Sequence, residues 1–391
     1  MNQFSRPPIV PPPSEPVPPL PVPPPLPAKL DFTGDRNGFL DLVARGAGLE
    51  LVTLGFYRFW LLTDIRRHLW SNTVIDGDAA EYTGRGRELL IGFLIALAIL
   101  MPIYLGYFLI SVEAEHLQAW ASIPLVASFY VFGQFAIYRA RRYRLTRTVW
   151  RGVRFWMDGS GWAYALRSTL WALLAIVTLG IALPWRAAAL ERYKMEHSWY
   201  GDLQGRFEGE GWALFKRVWW IGVLMPFALI VFPALPFLYS RYKSEEWRWW
   251  ISGIRFGGVT LESRLAPTAL RGLYWSVIGW YMVLSTAFGM IAGSVASMLL
   301  KLGVPVDELF LPGAVGKVAW IVLGLTIVGY LAFMLALGVV TRLYLTRDLW
   351  ERVLQTTTVT NLAAAANVTA RGDLATAVGE GIADGLDVAG F

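Results

Sequence analysis

Arginine-rich segments with interleaved aromatic residues are the strongest candidates for chemistry in this chain. Between residues 139 and 154 there are seven arginines, which alternate with Tyr143, Trp150 and Trp156. Such side chains could hold anionic lipid head groups, each basic residue contributing about 1 kcal/mol near a charged leaflet. The candidate contacts are Arg66, Arg67, Arg141, Arg142, Arg144, Arg147, Trp150, Arg342, Arg347 and Trp350.

The alternative for the same residues is plain anchoring. Arginine stems then lie along apolar surface while the charges reach water, and the tryptophans mark the interface. In both cases the expected partner is the lipid bilayer, with anionic phospholipids as candidate ligands. We do not expect nucleic acid to bind, because the basic residues are held against the bilayer.

The carboxylates around Gly77 could be interpreted as a metal loop. Asp76, Asp78 and Glu81 lie close together in sequence, but a calcium loop needs several more oxygen ligands at fixed intervals. Asp-Gly is a strong signal for a two-residue hairpin turn. The turn explains these residues, so we expect neither a metal nor a cofactor.

Catalytic constellations are missing from the sequence. The chain has no Cys, and its three histidines, His68, His116 and His197, lie far apart. No Ser-His-Asp order, Walker loop or HExxH motif is found. We therefore expect a protein that is not an enzyme.

The composition indicates which elements must position these residues. Hydrophobic residues make up 55% of the 391 residues, charged residues only 16%, and the mean hydropathy is +0.45. Soluble domains have about 25% charged residues. Four stretches are long enough to cross a bilayer and contain no charge, namely Leu89–Ile110, Leu117–Tyr138, Gly272–Leu300 and Val318–Val340.

Three further stretches are apolar but interrupted by charges or prolines: Phe39–Leu62, Ala163–Trp185 and Ala213–Tyr239. With them we predict an all-α polytopic membrane protein of about seven transmembrane helices (six to seven), in internally repeated modules with short cytoplasmic β-hairpins between helices. If Phe39–Leu62 and Ala163–Trp185 only dip into the interface, the number of spans falls.

Orientation follows from the lysines and arginines of the connections. The basic connections are predicted to be cytoplasmic, together with the C-terminus, whereas Ser111–His116 and Lys301–Lys317 are poor in basic residues. The connection Pro184–Trp212 has four basic and five acidic residues. If every segment crosses once, that connection and the N-terminal arm lie outside.

An internal repeat predicts modules of one design. A shift of 125 residues places Thr53-Leu54-Gly55 on Thr178-Leu179-Gly180, Trp60 on Trp185 and Gly86 on Gly211. Weaker matches occur at offsets of 101, with Gly152–Phe155 on Gly253–Phe256, and of 200, with Arg142–Trp150 on Arg342–Trp350. Asp76-Gly77, Asp158-Gly159 and Gly257-Gly258 predict hairpin turns within these modules.

Composition divides the chain into three parts. Residues 1–35 form a disordered Pro-rich arm, with 13 of the 22 prolines between Pro7 and Pro27. Residues 36–355 form the duplicated transmembrane domain, and residues 356–391 an acidic Ala/Gly-rich tail. An apolar stripe in the tail, Leu374, Val378, Ile382 and Leu386, leads to the hypothesis that the tail packs on the basic linkers.

Ionisable residues inside the spans are scarce, which counts against a proton-coupled pump. The exceptions are Asp41, Arg45, Glu50 and Arg167, among which Glu50 could form a buried pair with Arg45 or Arg167. Asp41 and Arg45 are expected near a membrane boundary.

The first module resembles a known family. The segments Thr53–Trp60, Arg66-Arg67, Trp70–Gly77 and Glu81–Leu90 resemble the YjgN family of bacterial multi-pass inner-membrane proteins, a domain of unknown function. The ending Gly379–Asp387 is also similar to members of that family. The resemblance implies an inner-membrane location but no agreed activity, substrate or catalytic residue.

Two functional classes follow from these features. The first is a non-enzymatic membrane protein that organises or senses the bilayer through lipid or protein contacts. The second is a transporter or channel for a small solute, since transporters are often internally duplicated. A polar path through the centre would favour transport, and a packed apolar centre would favour the first class.

Overall fold

Ten short strands form one closed antiparallel barrel in the part of the chain that the structure describes. The structure is a computed structural model that describes residues 27–113, 118–231, 233–301 and 317–375. Each strand pairs with its neighbours in sequence, and the last strand pairs with the first. The strands are β1 Ala28–Phe32, β2 Thr73–Ile75, β3 Asp78–Tyr82, β4 Thr148–Trp150, β5 Val153–Met157, β6 Ser198–Tyr200, β7 Leu203–Phe207, β8 Ile254–Phe256, β9 Val259–Ser263 and β10 Thr357–Thr360.

Pairs of helices separate the strand pairs and leave the barrel at one end. Within the described residues, the helices are α1 Arg36–Val52, α2 Arg58–Ser71, α3 Gly86–Glu113, α4 Gln118–Thr146, α5 Gly161–Val177, α6 Leu183–Glu196, α7 Gly211–Ile230, α8 Ala234–Gly253, α9 Arg271–Lys301, α10 Lys317–Thr341 and α11 Leu349–Gln355. A π-helical segment, Arg342–Asp348, joins α10 to α11, and a 3₁₀ turn, Leu362–Ala365, follows β10.

The helices form a closed ring above the barrel. From α1 to α9 each helix packs on its successor, and α10 packs on α1. The even-numbered helices lie on the inner side, because Trp70 of α2 packs on residues inside the barrel and Glu191 of α6 bonds to both Arg141 of α4 and Trp250 of α8.

Hydroxyl side chains mark the step from helix to strand. Thr73, Thr148, Ser198 and Thr357 each begin a strand, and each donates a hydrogen bond of 2.7–2.9 Å to the carbonyl four residues earlier, in the last turn of the preceding helix. The hydroxyl satisfies a carbonyl that a helix end leaves without a partner. The residue type at these positions therefore fixes where the helix stops.

Close packing explains why glycine recurs at an offset of 125 residues. A Cβ atom on Gly86 would lie 2.8 Å from Trp60 Cα, and one on Gly211 would lie 2.7 Å from Trp185 Cα. Only glycine permits this approach at the start of α3 and α7. At offsets of 101 and 200 the matched segments lie in unlike elements: Val153 begins the second strand of a hairpin, whereas Ile254 begins a first strand.

The predicted fold class is wrong, because a closed barrel accompanies the helices. Four helices in the described residues are long and apolar enough to cross a membrane, not about seven: Gly86–Leu109, Ser122–Thr146, Arg271–Met298 and Gly324–Gln355. Each of the three remaining predicted spans contains parts of two consecutive helices and the turn between them. These spans are Phe39–Leu62, Ala163–Trp185 and Ala213–Tyr239. Their connecting turns are as apolar as the helices, so hydropathy could not reveal the reversal.

Two of the three predicted hairpin turns are correct. Asp76-Gly77 joins β2 to β3, and Gly257-Gly258 joins β8 to β9. Asp158-Gly159 instead follows β5, and the turn between β4 and β5 is Arg151-Gly152, with φ of 48° and 75°. Arginine is an unusual first residue for such a turn. Here Asp76 and Asp78 of the adjacent hairpin accept hydrogen bonds from it at 3.1 and 2.5 Å.

The barrel also draws on both ends of the chain. Strand β1 lies at the end of the range assigned to the Pro-rich arm, and β10 at the start of the range assigned to the acidic tail. Most of the arm, and the positions Val378, Ile382 and Leu386 of the apolar stripe, lie outside the described residues.

Candidate lipid-contact surface and inner chamber

The turns of the two shortest helix pairs expose apolar side chains almost completely. Leu54 between α1 and α2 is 82% exposed, and Leu179 between α5 and α6 is 94% exposed. Val52 and Val177, two residues before them, are exposed as well. We call these two turns, residues 52–56 and 177–181, the apolar tips.

The backbone of each apolar tip satisfies its own hydrogen bonds. Gly55 N donates to Glu50 O at 2.7 Å, and Gly180 N donates to Ala175 O at 2.7 Å. The hydroxyl of Thr53 donates to Leu49 O and accepts from Tyr57 N, and the hydroxyl of Thr178 makes the equivalent bonds. Leu54 and Leu179 reach this geometry with φ of 51° and 49°. The amide groups of such a reversal need no water.

Most of the predicted lipid contacts bond to groups within the protein. Arg147 donates to Glu88 at 2.6 Å and Arg342 donates to Glu50 at 3.1 Å. Arg347 lies between Asp348 and Glu351, at 2.9 and 2.6 Å. The first two pairs join separate helices of the ring, whereas the contacts of Arg347 are local.

Other predicted contacts also bond to groups of the protein. Arg66 is 2% exposed and donates to the Tyr82 hydroxyl at 3.3 Å, while Arg67, whose side chain is half exposed, donates to Gly84 O at 2.9 Å. Trp150 lies inside the barrel, and Trp350 stacks on Trp70 with ring centroids 5.4 Å apart.

Arg142 lies beside the C-terminal segment. Its Nε is buried and has no acceptor among the described residues, as is also the case for the Nε atoms of Arg147 and Arg347. It lines a cavity of about 470 Å³ on the flank of the barrel, together with the stacked rings of Trp156 and Trp199 and the C-terminal residues Arg371–Asp373. The tail thus contacts a basic linker up to residue 375, where Ala375 N donates to the Thr146 hydroxyl at 3.4 Å.

A charged chamber of about 350 Å³ lies on the inner side of the helix ring. We call it the inner chamber; α4, α6 and α8 line it with Arg141, Ala187, Glu191, Lys194, Lys243, Glu246, Trp247, Trp249 and Trp250. Sequence reasoning found Arg141 but missed the others. The signal was available in Glu191 with Lys194 and Lys243 with Glu246, two ion pairs at helical spacing.

The carboxylates of the inner chamber are well supplied with donors. Glu191 accepts from Arg141 at 3.3 Å, from Trp250 Nε1 at 2.9 Å and from Lys194. Burial alone would raise the pKa of Glu191, but Lys194 and Arg141 outweigh it and hold the pKa below its usual value. Burial lowers the pKa of Lys194 in spite of Glu191, because Arg141 and Arg144 add positive potential.

The centre of the barrel is filled. Ala80 of β3, Trp150 of β4, Phe155 of β5, Tyr200 of β6 and Phe256 of β8 belong to one cluster. Side chains from strands as far apart as β3 and β8 can contact one cluster only if they point into the interior of the closed barrel. Leu362, Ala365 and Val368, which follow β10, cover the cluster at the end where the hairpin turns lie.

Glu50 does form a buried pair, but with neither Arg45 nor Arg167. Its carboxylate bonds to Arg342, whereas Arg45 pairs with Asp41 on the exposed surface of α1. Arg167 lies 4.1 Å from the centre of the Tyr193 ring. Among the described residues, no three His, Asp or Glu side chains are grouped to share a metal ion.

Comparison with known proteins identifies the family. The family model of DUF898, a bacterial protein family of unknown function, matches residues 27–242, more than half of the chain. The protein belongs to the DUF898 family. The match confirms the expected relationship to proteins of the YjgN type. No curated protein and no solved structure matches the chain.

The matched part of this DUF898 protein contains β1 to β7 and both apolar tips. It also contains four of the nine residues that line the inner chamber, Arg141, Ala187, Glu191 and Lys194. The family description assigns no activity to any of them. The apolar tips, the inner chamber and the filled barrel are therefore the features that bear on function.

Proposed function

We propose that the protein is a non-enzymatic protein of the bacterial inner membrane that organises or senses the bilayer through lipid contacts. The observation that carries this proposal is the pair of apolar tips. Each exposes a leucine almost completely at the end of a short helix pair whose turn satisfies its own backbone hydrogen bonds. Such a surface is costly in water and stable in hydrocarbon.

The lengths of the helices support a position of the tips within the bilayer. Helix α5 has 17 residues, so it is about 26 Å long. A hydrocarbon core is about 30 Å thick. The short pairs α1–α2 and α5–α6 therefore enter the core from the barrel side and turn back, while α3, α4, α9 and α10 cross it.

This arrangement gives the protein a wedge shape. On the barrel side the bilayer must accommodate the short helix pairs in addition to the crossing helices. On the far side it accommodates fewer helices, because α1, α2, α5 and α6 do not reach it. The protein therefore occupies a larger area in the leaflet on the barrel side than in the opposite leaflet. This difference favours membrane curvature, or an imbalance of lipid between the leaflets, of one sign. It also makes the protein sensitive to curvature or imbalance that is already present.

The barrel side is proposed to be cytoplasmic. Every strand lies at the same end of the helices, so all connections that contain strands share one side of the membrane. They include the basic connection of residues 139–158 and also Pro184–Trp212, which a seven-span arrangement places outside. The excess of lysine and arginine in these connections favours the cytoplasm, and the C-terminus lies there too.

Recurrence of one element order supports an origin by duplication. Two helices followed by two strands occur four times in succession, and a fifth helix pair is followed by β10, which closes on β1. Duplication of a unit that cannot bury its own apolar surface would give such a closed ring.

The test uses the full chain reconstituted into vesicles of defined size. Cryo-electron microscopy would compare vesicle diameter for the wild type and for the double variant Leu54→Asn, Leu179→Asn. Asparagine tolerates the left-handed backbone conformation, so the turns are kept while the tips become polar. We expect wild-type protein to reduce vesicle diameter and the asparagine variant to lose this effect.

The matched control is the double variant Leu54→Met, Leu179→Met, which keeps the tips apolar. It should behave as the wild type. Equal curvature with asparagine and methionine at the tips would contradict the proposal, because lipid contact at the tips would then be irrelevant.

The alternative is a transporter or channel for a small solute. The charged inner chamber favours it, since it offers a binding site on the inner side of the ring. The filled barrel opposes it, because Trp150, Phe155, Tyr200 and Phe256 belong to one packed cluster inside the barrel. Release of a trapped small ion from the same vesicles would distinguish the two, and we expect none.

A further inference from the structure

We infer that the inner chamber binds the phosphodiester group of one anionic phospholipid. The inference deepens the proposed function and rests on it only in placing the helices within a bilayer. Each of the three helices that line the chamber, α4, α6 and α8, leads at its C-terminal end into a strand of the barrel. In the opposite direction these helices extend toward the proposed bilayer.

The charge of the chamber calls for a single negative charge. Its lining contains three cations, Arg141, Lys194 and Lys243, and two carboxylates, Glu191 and Glu246. One positive charge is therefore left without a counter-charge. A phosphodiester carries one negative charge, so a phospholipid with an uncharged polyol head group completes the balance. A zwitterionic lipid would leave the surplus in place.

The hydrogen-bonding capacity of the chamber also favours an anion. Glu191 already accepts from three side chains, and Glu246 accepts from Lys243 at 2.7 Å and from Tyr242 at 3.3 Å. The ammonium groups of Lys194 and Lys243 each have three donors, of which the carboxylates use only part. The lining therefore offers donors to a ligand, not acceptors.

Burial makes Lys194 the group that gains most from a bound anion. Its side chain is 13% exposed, and its lowered pKa shows that its positive charge is poorly compensated. By contrast, burial alone would lower the pKa of Lys243, but Glu246 raises it above the ordinary value. A phosphate oxygen beside Lys194 would supply the missing counter-charge.

The helix faces above the chamber become apolar in the direction of the lipid. Leu183 lies four residues before Ala187 on α6, and Tyr239 lies four residues before Lys243 on α8. Residues at this spacing share one face of a helix. Both side chains are partly exposed, at 48% and 40%. The surface thus changes from charged to apolar over one helical turn, which matches the step from a head group to its acyl chains.

The experiment is native mass spectrometry of the full-length protein, purified in detergent and stripped of lipid. Short-chain phosphatidylglycerol is added, and the population with one bound lipid is measured. We expect one lipid per chain, with phosphatidylethanolamine bound about tenfold more weakly, a difference of about 1.4 kcal/mol. Inorganic phosphate at equal concentration should not displace the lipid.

Variants connect the binding to the chamber. Lys194→Gln and Lys243→Gln should each weaken binding about tenfold, and Lys243→Arg should retain it. Lys243 keeps the test valid if Lys194→Gln fails to fold, because its side chain is less buried than that of Lys194. The control is Arg151→Gln, which removes a basic residue from a hairpin turn far from the chamber and should leave binding unchanged.

Three outcomes would overturn the inference. Equal binding of phosphatidylethanolamine would refute the charge argument, and displacement by inorganic phosphate would assign the site to a free anion. Unchanged binding in both glutamine variants would place the lipid elsewhere. Unchanged vesicle curvature in the asparagine tip variant, with lipid binding intact, would contradict the proposed function alone.

Discussion

Glu50 accepts a hydrogen bond from Arg342 at 3.1 Å, across 292 positions of sequence. Glu50 lies near the end of α1, and Arg342 begins the π-helical segment after α10. The pair therefore lies where the last helix pair meets the first and the ring closes. Glu50 is 4% exposed and the Arg342 side chain 29% exposed.

Breaking this pair should destabilise the protein strongly. Arg342→Met leaves a nearly inaccessible carboxylate without its partner, and we expect a loss of about 3 kcal/mol in the free energy of unfolding. Glu50→Gln should cost less, because the guanidinium left behind is less buried than the carboxylate. The double variant should lose less than the sum of the two single variants. Unfolding in mixed micelles measures all three.

The control for this prediction lies on the same helix. Asp41 and Arg45 form an exposed pair, so Asp41→Asn should change stability by about 0.5 kcal/mol or less. A loss in Arg342→Met no larger than in Asp41→Asn would contradict the assignment of Glu50 and Arg342 to ring closure.

The sequence indicates that Glu50 is buried and paired but not with which arginine. Arg45 and Arg167 are closer in sequence or in apparent depth, whereas Arg342 meets Glu50 only because the helices close into a ring. Ring closure is a long-range property. No local pattern on α1 or α10 specifies it.

The glycines of the apolar tips should tolerate no side chain. Gly55 has φ of +91° and Gly180 has φ of +89°. A Cβ atom on Gly55 would meet no heavy atom of another residue within 4 Å, so the cost of Gly55→Ala is a backbone cost alone. We expect a loss of about 1 kcal/mol. Unfolding in mixed micelles checks it.

Gly106 supplies the matched control, since it lies within α3 and also has open space around it. Alanine there should stabilise the helix by up to about 1 kcal/mol. If alanine changes the free energy of unfolding in the same direction at Gly55 and at Gly106, the turn does not hold Gly55 in the left-handed region.

The apolar tips also explain two of the three additional spans that hydropathy predicts, Phe39–Leu62 and Ala163–Trp185. No proline and no charged residue occurs in Val52 to Gly55 or in Val177 to Gly180. Average hydropathy therefore stays high across each turn, and the turn is not detected. The Thr-Leu-Gly sequence, repeated at an offset of 125, was the available signal, because glycine at such a position favours a positive φ. The barrel was harder to predict, since its two-residue turns indicate hairpins but not their closure.

The C-terminal segment should detach from the barrel in acid. Thr369 donates to Asp202 through its hydroxyl at 2.8 Å and its amide at 3.2 Å, and these bonds hold the pKa of Asp202 below its usual value. A lowered pKa means that the contact stabilises the folded state above the ordinary value of 3.8. It is lost as the pH falls through the lower, folded-state pKa.

A fluorophore on Asp373→Cys reports this detachment, because the natural chain has no Cys and Asp373 lies beside Trp156 and Trp199. Quenching by these tryptophans should be strong at pH 7 and weak in acid. Asp202→Asn should weaken it at both pH values. If Asp202→Asn retains quenching at pH 7, the anchor lies elsewhere in the segment.

Truncation after Thr360 tests whether the barrel is a blocked channel or a packed core. The deletion removes Leu362 and Ala365 from the barrel end, so we expect a loss of about 1–3 kcal/mol in the free energy of unfolding, from newly exposed apolar surface. Ion flux through vesicles containing the truncated protein should remain at the level of empty vesicles. The reason is that the aromatic cluster below the cover stays in place, with the Phe155 and Tyr200 rings 4.6 Å apart. Flux that appears only on truncation would show instead that the segment is a removable plug, and would favour a transporter or channel over a lipid-organising protein.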